Sequence, residues 1–169
     1  MKYLIVLISL ISFAPSYAQL SDDWFGSYKG ELLATNLVGL QTSYHMELKV
    51  TQLTDSSYNW IITYGEDSTK QERAYQLNYL GMNLYEMDEK NSILIKVSFH
   101  ENSLTSVFEV DDNLIHVVYR LGKKGIHFDL TSSNNKTVSG GSTTDSGVSV
   151  PAVISYQTIV FQSAFLKKD

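Results

Sequence analysis

Arg73 is the side chain with the clearest chemical consequence in this sequence. The chain has only two arginines, Arg73 and Arg120. Arg73 alternates in phase with Tyr75, Leu77 and Tyr79, a bulky set on one side of an extended run. A guanidinium keeps its proton at any ordinary pH, so one that turns inward needs an anion or several acceptors. With the Tyr75 hydroxyl two residues along the same face, it forms a candidate clamp for the carboxylate or phosphate of a ligand. The structural alternative places Arg73 at a rim with its head in solvent, or pairs it with an internal glutamate.

The same period-two reading collects Trp24, Tyr28, Tyr44, Tyr58, Trp60, Tyr64, Tyr75, Tyr79, Phe99, Phe108 and Phe128 on inward positions. A filled aromatic core is one account of them. A pocket is the other, because six of these residues are tyrosines whose hydroxyls each need a partner once buried. A wet or ligand-lined cavity meets that need more easily than dry packing. The candidate ligand contacts are therefore Arg73, Tyr75, Trp60, Tyr44, Tyr64 and Trp24, with residues 37–40 (Leu-Val-Gly-Leu) lying over the mouth as a lid.

Other chemistries find less support. The four histidines have no ligand spacing within one run, so neither zinc nor haem is expected, and no cofactor is assigned. Asp111-Asp112-Asn113 and Asp88-Glu89 read as turns. His116 and Arg120 share a face opposite the apolar set Ile115, Val117, Tyr119 and Leu121, so they should point to solvent. There is no nucleophile elbow, phosphate loop or metalloprotease motif, and no enzyme activity is expected.

The elements that must position these residues are short strands. Between residues 92 and 131, four alternating runs (93–99, 104–110, 114–121 and 126–131) are separated by Glu101-Asn102, Asp111-Asp112-Asn113 and Gly122-Lys123-Lys124-Gly125. Hairpin-length connections between runs of this size predict an antiparallel meander. Upstream, Trp24, Tyr28 and Leu32 alternate with polar residues around Gly26 and Gly30, predicting a first strand crossed closely by another backbone. Further runs follow around 44–51, 58–64, 72–79 and 85–87, and 152–166 returns as one long final strand or a bent pair. Residues 132–149 are rich in Ser, Thr, Gly and Asn with almost nothing apolar, which predicts a flexible loop.

No long helical period interrupts this order. About ten strands in sequence would leave exposed edges if open, so the expected fold is all-β, a single antiparallel up-and-down barrel, with a two-sheet sandwich as the alternative. Residues 1–18 read as a signal peptide: Lys2, an apolar stretch over 4–14, and Ser16-Tyr17-Ala18 before the cut. That stretch would reach only about 17 Å as a helix, too short for a membrane core of roughly 30 Å. The mature domain is then 19–169, about the usual size of one domain, with no transmembrane span left after cleavage.

The net charge of −5 becomes one unit more negative without Lys2, and the scattered charge argues against nucleic acid as a partner. With no cysteine, disulfides, thiolate chemistry and lipidated cysteine anchors are excluded. Export without disulfides suits a secreted or periplasmic protein of a bacterial envelope.

A tryptophan at the head of the first strand (Trp24-Phe25-Gly26, where lipocalins carry Gly-x-Trp), about ten strands in meander order, export and a chain of this length together resemble the lipocalin and fatty-acid-binding superfamily, the calycins. Arg73-Ala74-Tyr75 is similar to the carboxylate clamp of fatty-acid-binding proteins, which lies there on the last strand. The resemblance implies a cavity for a small apolar or amphipathic ligand. The expected function is thus an exported, non-enzymatic, monomeric binding protein for such a molecule, possession of an anionic group being compatible with Arg73. The alternative is a structural or interaction module of the cell envelope with a fully packed core and no ligand.

Overall fold

Turn chemistry sets the strand boundaries. Asp111 and Asp112 both take positive φ (47° and 64°), and Val110 pairs with Asn113 across them. Met82 and Asn83 do the same (49° and 63°) between Gly81 and Leu84. Two consecutive positive φ values make the two-residue turn whose twist matches that of the flanking strands. At the other long-paired hairpin, Asn36 accepts hydrogen bonds at Oδ1 from the N–H groups of Val38 (3.1 Å) and Leu40 (3.0 Å).

The computed structural model describes residues 19–142 and 147–169; the expected signal peptide at 1–18 lies outside the described residues. Ten strands follow in order: β1 (Gly26–Asn36), β2 (Gln41–Thr54), β3 (Ser57–Tyr64), β4 (Gln71–Gly81), β5 (Leu84–Asp88), β6 (Leu94–His100), β7 (Ser103–Val110), β8 (Asn113–Gly122), β9 (Gly125–Ser139) and β10 (Val153–Lys168). Each is antiparallel to its neighbours in sequence, and β10 returns to pair with β1 from Tyr28↔Lys168 to Asn36↔Val160. The result is a closed up-and-down barrel rather than a sandwich. Closure leaves no sheet edge around the barrel wall. Among the described residues no helix is long and apolar enough to cross a membrane.

Inward positions alternate as the sequence pattern requires. Trp60 faces Tyr75 across β3 and β4, Leu77 faces Met87, Leu104 faces Tyr119, and Tyr119 faces Phe128. Gly30 is the close crossing the sequence predicts, since a methyl group there would collide with the Phe165 carbonyl of β10.

Two local expectations are corrected. Trp24 stands in a 3-10 turn, Asp22–Trp24, ahead of the first strand, not within it. The Trp24 N–H donates to the Ser21 carbonyl (3.0 Å), and the turn folds the indole across the barrel end. The second concerns 132–149. β9 continues to Ser139, so the connection to β10 is confined to 140–152. The polar run forms a ladder because its partner is β-branched and its hydroxyls meet across the strands: Thr137 and Ser155 hydroxyls lie 2.7 Å apart, those of Ser133 and Thr158 3.3 Å apart.

The barrel is filled at the end that carries the β2–β3, β4–β5, β6–β7 and β8–β9 turns. Trp24 packs against Trp60 and Phe99 with ring centroids 6.0 and 6.3 Å apart, and Tyr85 lies 6.1 Å from Phe99. The Tyr58 and Tyr85 hydroxyls both lie beside the Leu20 backbone. Tyr28 donates to the Asp23 carbonyl (2.9 Å), which also receives the Lys168 ammonium (3.0 Å).

Burial first, and the Asp23 charge second, push the Tyr28 hydroxyl up to about 12, against 10.0 for a free tyrosine. Tyr58 and Tyr85 are also raised, chiefly by burial. A phenol whose pKa is higher folded than unfolded supports the fold fully below pH 10 and loses that support as pH rises through its folded value. Alkaline denaturation followed by far-UV circular dichroism should therefore steepen between pH 10 and about 12, and Tyr28→Phe should flatten that part of the curve. An unchanged alkaline limb in Tyr28→Phe would remove Tyr28 from the account.

Candidate functional site

The other half of the barrel is not packed. It holds a cavity of about 340 Å³ that is partly open to solvent, lined by inward residues of β3 to β9. Hence the interior is neither empty throughout nor filled throughout: a packed aromatic floor supports a cup. Volumes of roughly 300 to 1,000 Å³ are usual for small-molecule sites. At about 30 Å³ for each water-sized unit, this cup takes a group of roughly a dozen non-hydrogen atoms.

Its walls differ in character. From β5 to β9 they are mainly aliphatic or aromatic, with Met87, Ile95, Leu104, Phe108, Val117 and Leu130 on the surface and the Ser106 hydroxyl of β7 among them. On the β3–β4 side stand Tyr64, Arg73 and Tyr75, and Tyr119 of β8 meets them from across the cup. The guanidinium of Arg73 donates from Nη1 to the Tyr75 hydroxyl (3.4 Å), and its Cζ lies 5.9 Å from the centre of the Tyr64 ring. Among the described residues no carboxylate lies in salt-bridge range of Arg73. Glu89, also on the lining, acts on it only at longer range.

The Tyr64 and Tyr119 phenols near this cation stay protonated. Burial raises the Tyr64 hydroxyl, with the Arg73 charge opposing part of the rise. Burial holds the Tyr119 hydroxyl well above the ordinary tyrosine range, with the Tyr64 hydroxyl adding to the shift. The hydrogen bond to Tyr75 raises Arg73 itself, so its charge is permanent. The cup therefore offers one fixed positive charge and several neutral O–H donors around an apolar interior.

Searches with the sequence find no matching family model and no matching curated protein. Several solved structures share the fold, among them these two. One is a protein of unknown function from the DUF3598 family of Nostoc punctiforme: TM-score 0.60 at 11% identity, over 90% of this chain and 50% of that one. The other is an S-type phycobiliprotein lyase, CPES, from Guillardia theta: TM-score 0.60 at 7% identity, over 88% of this chain and 89% of that one. This chain therefore spans half the length of the Nostoc protein. The fold is calycin-like.

Three of the six residues singled out in the sequence meet in the cup: Arg73, Tyr75 and Tyr64. Trp60, fully buried, lies beneath it, edge-on to Tyr119 at 5.0 Å and 80°. Trp24 is one layer further down, against Trp60 on the closed end. Tyr44 has the inward parity, opposite Leu32, yet it is 48% exposed and does not line the cavity. The cause is that β2–β3 pairing begins only at Met46↔Tyr64, so Tyr44 stands on a part of β2 that β3 no longer flanks. Leu37, Val38 and Leu40 are exposed at the tip of the β1–β2 hairpin, and none of them lines the cup. Arg120 and His116 are exposed on the outside, while Ile115, Val117 and Tyr119 face in.

Tyr119, Glu89 and Ser106 line the cup without having been singled out. A signal for Glu89 was present: it continues the parity of Tyr85 and Met87 past the end of β5, where it had been read only as turn chemistry.

Proposed function

We propose that this chain is an exported protein that binds, without transforming, one small amphipathic anion in the half-open cup. The observation that carries this reading is a guanidinium at the edge of a mainly apolar cavity, with Glu89 on the lining but no protein carboxylate in salt-bridge range of it among the described residues. A carboxylate or phosphate accepting from Arg73 and from the Tyr75 and Tyr64 hydroxyls would be held by charge-assisted hydrogen bonds, and its apolar body would fill the space between Phe108, Val117 and Leu130. Trp60 and Trp24 would act from below, by keeping the floor rigid.

The Guillardia protein is named as a lyase, so a barrel of this shape serves catalysis elsewhere. Binding is favoured here by the side chains: the one aliphatic hydroxyl on the lining, Ser106, has no histidine or carboxylate hydrogen-bonded to it among the described residues. Nucleophilic chemistry needs such a base. Residues 1–18 support export, with cleavage after Ala18 into a secreted or periplasmic space.

One experiment tests both parts. The full chain is expressed in a bacterium, recovered from the exported fraction, checked for Gln19 as its first residue, and titrated calorimetrically with decanoate and with decanol. Saturable one-to-one uptake, with the acid tighter than the alcohol, is expected. Absence of saturable uptake of either compound overturns the binding reading, and a retained leader overturns the export reading.

A further inference from the structure

The floor of the cup carries hydrogen-bonding capacity that a plain alkyl chain would waste. The indole N–H of Trp60 is fully buried and has no hydrogen-bond partner of good geometry among the described residues. Between this indole and the open space stands Tyr119, in edge contact with Trp60 and itself part of the lining. The Trp60 N–H lies close enough to the Tyr119 oxygen to stabilise charge there, which leaves the hydroxyl hydrogen of Tyr119 to be placed elsewhere. The groups that Tyr119 feels electrostatically inside the cup are the Tyr64 and Tyr75 phenols, donors in their own right. Trp60 beneath the cup, Tyr119 on β8 and, facing it across the space, Tyr75, Tyr64 and Arg73 on β3 and β4 thus form one group of donors. Every one has a hydrogen to give, and the indole and the guanidinium can only give. Buried donors are costly to leave unmet, more so in a low-dielectric cavity.

Resting on the binding reading above, we propose that the ligand carries two acceptors: an anionic group at Arg73 and a second, neutral oxygen at its buried end, hydrogen-bonded by the Tyr119 hydroxyl. The ligand class is an oxo- or hydroxy-substituted acid of about a dozen non-hydrogen atoms, its apolar side against β5 to β9. A plain fatty acid would meet the guanidinium but leave the Tyr119 hydroxyl facing a methyl terminus.

The test compares decanoate with a set of mono-oxo decanoates whose carbonyl moves stepwise along the chain, titrated into the native protein and into Tyr119→Phe. At least one oxo acid is expected to bind the native protein about fivefold to tenfold more tightly than decanoate, the range of one net hydrogen bond. Tyr119→Phe should erase that preference, so that the best oxo acid and decanoate bind the variant equally tightly. The comparison on the native protein needs no variant, so misfolding of Tyr119→Phe does not block the test. If every oxo acid binds the native protein no better than decanoate, the second acceptor is wrong and the anion-binding reading stands. A preference that survives in Tyr119→Phe also overturns the assignment. Binding of none of the acids removes both readings together.

Discussion

Replacing Arg73 with leucine should weaken binding of a carboxylate ligand by roughly 10- to 100-fold and leave the melting temperature within about 2 °C of the native value. The first figure follows from hydrogen bonds to charged groups, each worth about 1.5–3 kcal/mol, at about 1.4 kcal/mol per decade. The second follows from how little of the fold uses this side chain. Arg73 is exposed, its one side-chain hydrogen bond, to Tyr75, is long at 3.4 Å, and no carboxylate pairs with it among the described residues. Exposed substitutions away from special features stay within about 0.5 kcal/mol, and a domain of this size shifts by about 2–4 °C per kcal/mol. Leucine keeps the apolar stem that lies beside Tyr64. The methyl ester of the same acid serves as internal control, since it should bind both proteins alike. Arg73→Lys should fall between, because an ammonium supplies charge without the planar fork. A leucine variant that takes up the acid as tightly as the native protein would mean that the cup recognises its ligand by shape alone.

How much of this was legible beforehand differs from residue to residue. Period-two alternation and turn residues located all the strands of the meander, because both are local: Asp111-Asp112 takes its backbone geometry from short polar side chains that tolerate positive φ. Parity likewise put Arg73, Tyr75, Tyr64 and Trp60 on one side of the sheet. Parity does not give height along the barrel axis, which depends on how far each neighbouring strand extends. That is why Tyr44 and Trp60 share the inward face with Tyr75 yet one stands at an unflanked strand end and the other beneath the floor.

Residues 132–139 show a different gap. Their composition offers no burial, and the pairing that orders them as strand comes from β10, some twenty residues later in the chain. Trp24 shows a third: its parity fits a strand, and only the Ser21 carbonyl and the arrangement of the barrel end make it a turn residue. The unpartnered Trp60 N–H is the least legible of all, since an indole's lack of a partner is a property of assembled space.

Trp24→Ala is expected to be the most destabilising single change considered, costing about 3–5 kcal/mol as truncation of a large buried aromatic side chain does. On the scale of a domain this size that is a fall of roughly 6 to 20 °C in melting temperature. The indole is 0% exposed and touches Trp60 and Phe99, and its Nε1 has no hydrogen-bond partner among the described residues, so its contribution is packing rather than polar contact. Trp24→Phe should therefore cost much less than alanine. It loses part of the ring contact but also removes a buried unmet donor, whose cost is about 1–3 kcal/mol. Neither change touches the lining of the cup. At a temperature where Trp24→Ala is still folded, its affinity for a carboxylate ligand should stay within about threefold of native, a change of about 0.6 kcal/mol or less. Stability and binding would then separate along the barrel axis, Trp24 governing the first and Arg73 the second. A Trp24→Ala protein that melts at the native temperature would show that the aromatic floor does not hold the barrel closed, and a folded one that loses the ligand would place Trp24 in the recognition of it.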